Sequence, residues 1–335
     1  MIIAVTPGDP AGVGPELLWK LLRSRERFGA DLLCVGARAP FEKLGAPIHE
    51  VTLSELSSAR RIRAPKKNRP FVWLLPAPNQ APKSARGPLH LEGYQSGWSI
   101  KTATVLAQKG IVGALTTGPI SKERFQRGGF PFPGHTEFLA HLCGAKNVTM
   151  MLANDQLRIT LVTTHLALSG VPKAITQPKI IRTVLQTVEH LRHWWKIKRP
   201  RIAVAALNPH AGESGLFGNE EIRIIQPALD HLRRIGRERY QIDGPLPADT
   251  LFAKHVALPP KDRYDAVVCM YHDQGLIPVK LLDFPQTVNI TLGLPIVRTS
   301  VDHGVGFDIV GTGRADPSSL RSAIRLAAKI ARIRA

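Results

Sequence analysis

Three histidines follow short apolar runs in distant parts of this chain. His165 ends Leu161-Val162-Thr163-Thr164-His165. His210 follows the run 202–207, in Asn208-Pro209-His210-Ala211-Gly212-Glu213. His272 follows the run 266–269, in Met270-Tyr271-His272-Asp273-Gln274-Gly275. Each run reads as a buried strand, and polar residues just past such a strand suit a site at the carboxyl edge of a sheet. Three neutral imidazoles hold a divalent cation and leave positions for water and substrate. Singly, each histidine also fits a hydrogen-bonded loop; together they point to an open metal site.

Other residues suit an anion. Lys280 lies eight residues past His272, Asn289 sits in 288–292, and Arg298 in Ile296-Val297-Arg298-Thr299-Ser300. A lysine, an arginine and an amide side chain form a clamp for phosphate or carboxylate. Gly134-His135-Thr136-Glu137 reads as a helix start, whose amides suit an anion; Thr136 can equally cap that helix. Asp249, after Gly244-Pro245-Leu246-Pro247-Ala248, is either a base or orienter of an imidazole or an N-cap. A metal beside an anion clamp fits hydrolysis of a phosphorylated substrate, or oxidation of a hydroxy acid by a nicotinamide cofactor.

The elements that must position these residues alternate strand and helix, which indicates an α/β fold. The first strand runs to Thr6 and enters Pro7-Gly8-Asp9-Pro10-Ala11-Gly12-Val13-Gly14-Pro15-Glu16. The glycines let a backbone approach something closely, but their spacing matches neither nucleotide-binding glycine motif. Strands are expected over 31–36, 71–75, 111–116, 288–292 and 296–300, and a hairpin over 148–153 and 157–163. Helices are expected over 39–44, 93–108, 176–195 and 220–234. The 93–108 helix should bury Trp98, Ile100, Val105 and Leu106. Residues 318–333 read as a basic amphipathic helix that docks on the body of the protein in preference to a membrane surface.

With 335 residues, 44% of them hydrophobic, the chain can build one large α/β unit or two domains. No apolar run approaches the roughly 18 residues of a membrane helix. The first residues read as a strand and not a signal peptide. Cys34, Cys143 and Cys269 form no disulfide framework and no metal motif, which suits a reducing cytosol. The net charge of +19 admits a nucleic-acid partner, an anionic substrate or a solubility role. Its one cluster, Arg60, Arg61, Arg63, Lys66, Lys67 and Arg69, contains Pro65 and Pro70 and no interleaved aromatics. We read it as a solvated loop and expect no nucleic-acid partner.

The last loop separates the two reaction classes. His303-Gly304-Val305-Gly306-Phe307-Asp308-Ile309-Val310-Gly311-Thr312-Gly313-Arg314-Ala315-Asp316-Pro317 resembles the adenosine-binding loop of the isocitrate and isopropylmalate dehydrogenase superfamily. Asp316 stands where those enzymes usually carry Asn. The loop implies a dinucleotide site outside the Rossmann fold. The motifs from Thr6-Pro7-Gly8-Asp9-Pro10-Ala11-Gly12 to Asp316, including Gly134-His135-Thr136-Glu137-Phe138 and Met270-Tyr271-His272-Asp273-Gln274-Gly275, resemble the 4-hydroxythreonine-4-phosphate dehydrogenase family of pyridoxine biosynthesis.

That resemblance implies an isocitrate/isopropylmalate dehydrogenase-like fold of two α/β subdomains with the active site in the cleft between them. One subdomain would span 1–130 plus 270–335 on the cofactor side; the other, 131–269, would carry the metal and the dimer contact. It implies that His165, His210 and His272 bind Zn²⁺, or Mg²⁺ or Co²⁺. Substrate falls to His135, Thr136, Lys280, Asn289 and Arg298, the cofactor to His303, Gly304, Asp308 and Asp316, and catalytic roles to Asp249 and His272. It implies a cytoplasmic homodimer with the site at the subunit interface and His272 supplied by the partner. The reaction implied is NAD-dependent oxidation of 4-(phosphooxy)-L-threonine to a 3-oxo acid that loses CO2, leaving 3-amino-2-oxopropyl phosphate; NADP is an alternative cofactor. Relatives that oxidise four-carbon sugar-acid phosphates or a cyclic dihydrodiol share most of these motifs, and the phosphohydrolase is the remaining alternative. A carboxylate at Asp308 can accept the ribose hydroxyls and repel a 2′-phosphate, or cap its own loop. Arg314 close by can receive a phosphate instead.

Overall fold

The computed structural model describes residues 1–24, 26–58, 64–65 and 69–334. Of the basic cluster, Arg60, Arg61, Arg63, Lys66 and Lys67 lie outside the described residues. The strands are, in chain order, Ile2–Thr6 (β1), Asp31–Gly36 (β2), Ile48–Glu50 (β3), Val72–Pro76 (β4), Ala114–Thr117 (β5), Thr149–Ala153 (β6), Arg158–Leu161 (β7), Arg201–Ala205 (β8), Gln241–Leu246 (β9), Ala266–Cys269 (β10), Val288–Leu292 (β11) and Arg298–Ser300 (β12).

The chain forms two compact units. One comprises Met1–Val148 with Leu294–Ala335, the other Thr149–Gly293. The divisions suggested by the sequence, at 130 and 270, fall earlier in the chain. The later boundary reflects the antiparallel pairing of β11 with β6, which keeps residues through Leu292 with the second unit.

In the first unit the strand order is β3-β4-β2-β1-β5-β12, and every pairing is parallel. Parallel strands need covered faces, so their sequences are almost continuously apolar. Ile3, Ala4, Val5, Leu33, Val35, Leu74 and Leu115 are all fully buried. The helix His90–Gln108 covers one face, burying Ile100 and Leu106, while Trp98 is partly buried. Val105, expected inside, is 37% exposed, because it lies on the outer side of the turn that buries Ala103, Thr104 and Leu106. The helix Ser318–Arg334 docks through Leu320, Ile324, Ala327, Ala328 and Ala331. Its apolar stripe thus packs on the protein body, as its pattern suggested, while Arg321 pairs with Glu26 and Arg332 donates to Phe28 O, each at 2.8 Å.

In the second unit the order is β11-β6-β7-β10-β8-β9. β6 runs antiparallel to β11 and β7, which bears out the hairpin. β7, β10, β8 and β9 are mutually parallel. One face is filled by Ile202, Val204, Val268, Leu229 and Leu232, the other by Ile159, Ala203, Val267 and Leu276. Among the described residues no helix is long and apolar enough to cross a membrane.

Candidate active site

The order of β7, β10 and β8 gathers the three histidines at one edge. His165, His272 and His210 each follow the carboxyl end of one of these adjacent parallel strands. Neighbouring strands lie about 4.8 Å apart, so their trailing loops are neighbours too. His165 is not itself at a strand end: β7 stops at Leu161, four residues earlier. The intervening chain is held by Thr163, whose amide and hydroxyl both donate to Met270 O, at 3.2 and 2.7 Å.

Two buried side chains fix the other loop bases. Gln274 accepts from Met270 N at 2.7 Å and donates to Ala206 O at 2.6 Å, tying the exit of β10 to that of β8. Glu221 accepts from the amides of Leu207 and Asn208, both at 2.8 Å, and from Asn208 Nδ2 at 2.8 Å. Neither residue was singled out in the sequence. For Gln274 the signal available was a polar residue soon after a strand; Glu221 lies in the helical turn Glu221–Ile225, far from the end of β8, and had no such signal.

His272 opens the helix His272–Asp283, and its Nδ1 lies 2.6 Å from Asp273 Oδ1. Such a carboxylate fixes the imidazole's orientation and leaves Nε2 as the coordinating atom. The rings of His165 and His272 stand 5.6 Å apart, centroid to centroid. With metal–nitrogen bonds of roughly 2.1 Å, two imidazoles on one ion have centroids about 5–6 Å apart, so this pair fits. His210 is exposed and begins a left-handed run: His210, Ala211, Gly212, Glu213, Ser214 and Gly215 all have φ between +42° and +100°. Left-handed non-glycine residues cost roughly 1–2 kcal/mol each, and strain of this kind concentrates at functional loops. Among the described residues of the single chain, no group of three or more metal-ligating side chains is assembled. Two imidazoles fit one ion, and the third stands apart on the next loop.

Asp249 lies exposed in the first turn of the helix Ala248–Ala257. Pro247 occupies the N-cap position, so Asp249 does not cap. The helix lies against the 209–215 segment, near His210 along the same edge.

In the first unit, His135, Thr136 and Arg298 form the anion-binding candidate. Gly134 holds the N-cap position of the helix His135–Cys143 with no side-chain cap, so Thr136 is not a cap either. Arg298 is buried and donates to Thr117 Oγ1 from Nε at 3.2 Å and from Nη2 at 2.8 Å. Burial pushes its guanidinium down to about 9, with Glu137 opposing, so it remains a cation at neutral pH. Burial, and then Arg298, hold His135 well below the usual imidazole range. His135 is therefore neutral, and its Nε2 is shut off from solvent without a hydrogen-bond partner among the described residues. A neutral imidazole and a buried guanidinium side by side suit an anion that brings its own acceptors. In the second unit, Lys280 is half-buried with Nζ 5.3 Å from the Phe284 ring, and Asn289 lies half-buried in β11.

The 303–316 loop leaves the carboxyl end of β12. His303 Nδ1 contacts Gly304 O at 2.8 Å, and its Nε2 is buried without a partner among the described residues. Asp308 is exposed in the turn Phe307–Ile309, and no hydrogen bond to its carboxylate is found among the described residues. It does not cap its own loop. Asp316 does cap: its Oδ1 accepts from Ser318 N at 3.0 Å and Ser318 Oγ at 2.7 Å. The serine hydroxyl bond is the main cause holding its carboxyl below the usual range. An orphaned imidazole nitrogen and an uncommitted carboxylate on one loop fit a ribose.

A family model described as pyridoxal phosphate biosynthetic protein PdxA matches residues 35–327. The chain belongs to the PdxA family. The 4-hydroxythreonine-4-phosphate dehydrogenase of Caulobacter vibrioides is 46% identical, covering 98% of this chain and 97% of its own length. The D-threonate 4-phosphate dehydrogenase of Pectobacterium atrosepticum is 39% identical, covering 98% of this chain and 99% of its own. The crystal structure of 4-hydroxythreonine-4-phosphate dehydrogenase from Klebsiella pneumoniae superposes with a TM-score of 0.84 at 39% identity, covering 98% of each chain. The family reached from the motifs, and its α/β fold, are the ones found.

Proposed function

We propose that this PdxA-family chain oxidises 4-(phosphooxy)-L-threonine with NAD, with metal assistance, in pyridoxine 5′-phosphate biosynthesis. The hydroxyl-bearing carbon gives a hydride to the nicotinamide and its oxygen loses a proton. The resulting 3-oxo acid then releases its carboxylate as CO2, leaving 3-amino-2-oxopropyl phosphate. The observation that carries this reading is the gathering of His165, His272 and His210 on adjacent β7, β10 and β8 in a chain whose relatives are dehydrogenases of phosphorylated hydroxy acids.

His165, His210 and His272 are the proposed ligands of Zn²⁺, or of Mg²⁺ or Co²⁺. Held by these imidazoles, a divalent ion would supply Lewis-acid stabilisation of negative charge on the substrate oxygen. Asp273 orients His272, and Asp249 is a candidate base in the first turn of the helix Ala248–Ala257. The substrate's anionic groups fall to His135, Thr136, Lys280, Asn289 and Arg298. The dinucleotide falls to His303, Gly304, Asp308 and Asp316, with the exposed carboxylate of Asp308 favouring NAD over NADP; Asp316 has one oxygen left after capping.

The assembly we propose is a cytoplasmic homodimer. Leu166 and Leu168 after His165, Leu216 and Phe217 after His210, and Ile277, Leu281 and Phe284 after His272 are each between 49% and 84% exposed. Large apolar side chains flanking every histidine loop support a partner surface there; with His165 and His272 of one chain 5.6 Å apart, centroid to centroid, His272 need not come from the partner.

The D-threonate 4-phosphate dehydrogenase relative keeps a second substrate open, a four-carbon sugar-acid 4-phosphate. The deciding experiment follows reduced nicotinamide by absorbance with each phosphorylated acid, with NAD and NADP, before and after chelation. We expect turnover of 4-(phosphooxy)-L-threonine with NAD, lost on chelation and restored by divalent metal. Full activity of metal-free protein, or activity only on the sugar acid, would overturn the corresponding part.

A further inference from the structure

The glycine-rich turn 7–14 matches no nucleotide motif, yet its glycines are packed against backbone. A β-carbon on Gly8 would collide with Pro119 O, and one on Gly12 with Val305 Cγ1. On its Gly12 side the turn closes on the chain's own 303–316 loop, and on its Gly8 side on the segment after β5. β1, β5 and β12 are adjacent in the sheet, so the turn after β1 and the loop after β12 leave the same edge.

The contacts between them are specific. Val13 N donates to Val305 O at 3.0 Å. Gly311 N donates to Glu16 Oε2 at 3.0 Å. Lys20 Nζ donates to Gly313 O and to Ala315 O, each at 2.8 Å, and pairs with Glu16 Oε1 at 3.0 Å. An ammonium has three N–H donors, and all three acceptors are accounted for. Arg124 adds a brace: its Nη1 lies 3.1 Å from the buried Asp9 Oδ1, and its guanidinium sits 4.2 Å above the Phe307 ring.

These bonds matter because the loop has little else to hold it. Gly306, Gly311 and Gly313 have positive φ, and residues 310–314 are exposed. A glycine-rich, solvent-facing segment loses much entropy on ordering and buries little to offset it. We propose that Glu16 and Lys20, with Arg124 behind them, are positioning residues that hold the 303–316 loop in its dinucleotide-binding form before the cofactor arrives. Ordering done in advance is not charged to binding. The proposal rests on the reading of that loop as the cofactor site.

The test uses the full-length protein and four variants: Lys20→Met, Glu16→Gln, Lys20→Arg and Asp308→Ala. Hydrogen–deuterium exchange of 303–316 is measured without cofactor, NAD affinity by calorimetry, and thermal stability as a check on folding. We expect faster exchange in the loop for Lys20→Met and Glu16→Gln and NAD affinity weakened by roughly tenfold. KM for NAD should rise more than kcat falls, and Lys20→Arg should recover most of both. A clip with only a structural role would not move KM for NAD. Unchanged exchange in Lys20→Met and Glu16→Gln overturns the proposal. So does faster exchange with intact NAD affinity when Asp308→Ala does weaken NAD. If Asp308→Ala also leaves NAD affinity intact, the cofactor reading of the loop falls, and the proposal with it.

Discussion

His272 Nδ1 and Asp273 Oδ1 are neighbours in sequence and lie 2.6 Å apart. The carboxylate accepts the Nδ1 proton and so directs the Nε2 lone pair outward. Asp273→Ala should lower affinity for Zn²⁺ by roughly 10–100-fold, read by competition with a chromophoric chelator. Affinity equal to that of the wild type would show that Asp273 does not orient the ligand.

Arg298 is the buried cation of the anion-binding candidate. Charge-assisted hydrogen bonds contribute roughly 1.5–3 kcal/mol each. Arg298→Gln should therefore weaken 4-(phosphooxy)-L-threonine by roughly tenfold or more, with NAD affinity unchanged. Calorimetry with each ligand separately measures both. Loss of NAD affinity with intact substrate affinity would move Arg298 to the cofactor.

His135 gives stability a pH dependence. Its folded-state pKa is depressed below 6.5, first by burial and then by Arg298. As pH falls through about 6.5, the unfolded chain binds a proton that the folded chain refuses. Stability is then full above that pH and falls below it, by about 1 kcal/mol between pH 7.5 and 5.5. Urea midpoints at the two pH values should show this loss, and His135→Gln should lack that part of it. Equal losses in both proteins would mean that His135 titrates as it would in solvent.

The left-handed run at 210–215 stores strain at Ala211, where φ is +56°. Ala211→Gly should raise the unfolding free energy by roughly 0.5–1 kcal/mol, since glycine adopts this conformation without penalty. Metal affinity should not improve, because the path of the loop is unchanged. A lower melting temperature would show that this backbone is unstrained.

β3 and β9, Ile48-His49-Glu50 and Gln241-Ile242-Asp243-Gly244-Pro245-Leu246, carry no continuous apolar run. The other strands were legible because their apolar runs are nearly continuous, as parallel strands covered on both faces must be. Their spatial order was not. β10 lies between β7 and β8 although it comes after both in the chain, and only that crossover places His272 between the other two histidines. The left-handed run was visible only at Gly212 and Gly215. His210, Ala211, Glu213 and Ser214 carry no signal for positive φ. The glycines at 8 and 12 announced a close approach, but the other sides of those contacts, at Pro119 and Val305, lie far along the chain. Asp316 and Asp249 show the opposite case. A cap was read in sequence for Asp249, which Pro247 excludes, whereas Asp316, read for the cofactor, is made a cap by the serine two residues on.

The first unit is discontinuous, and this orders events during synthesis. Residues 149–293 form a contiguous unit whose strands are all present once Leu292 has been made. The first unit at that moment still lacks β12, the partner of β5, and the helix Ser318–Arg334 that covers β1, β5 and β12. An open β5 edge and an uncovered apolar face are what chaperones recognise and what aggregation uses. The nascent protein therefore carries its histidine loops in place while its earlier-made unit waits for the end of the chain. The 303–316 loop that bonds to Glu16 and Lys20 arrives only in that final segment.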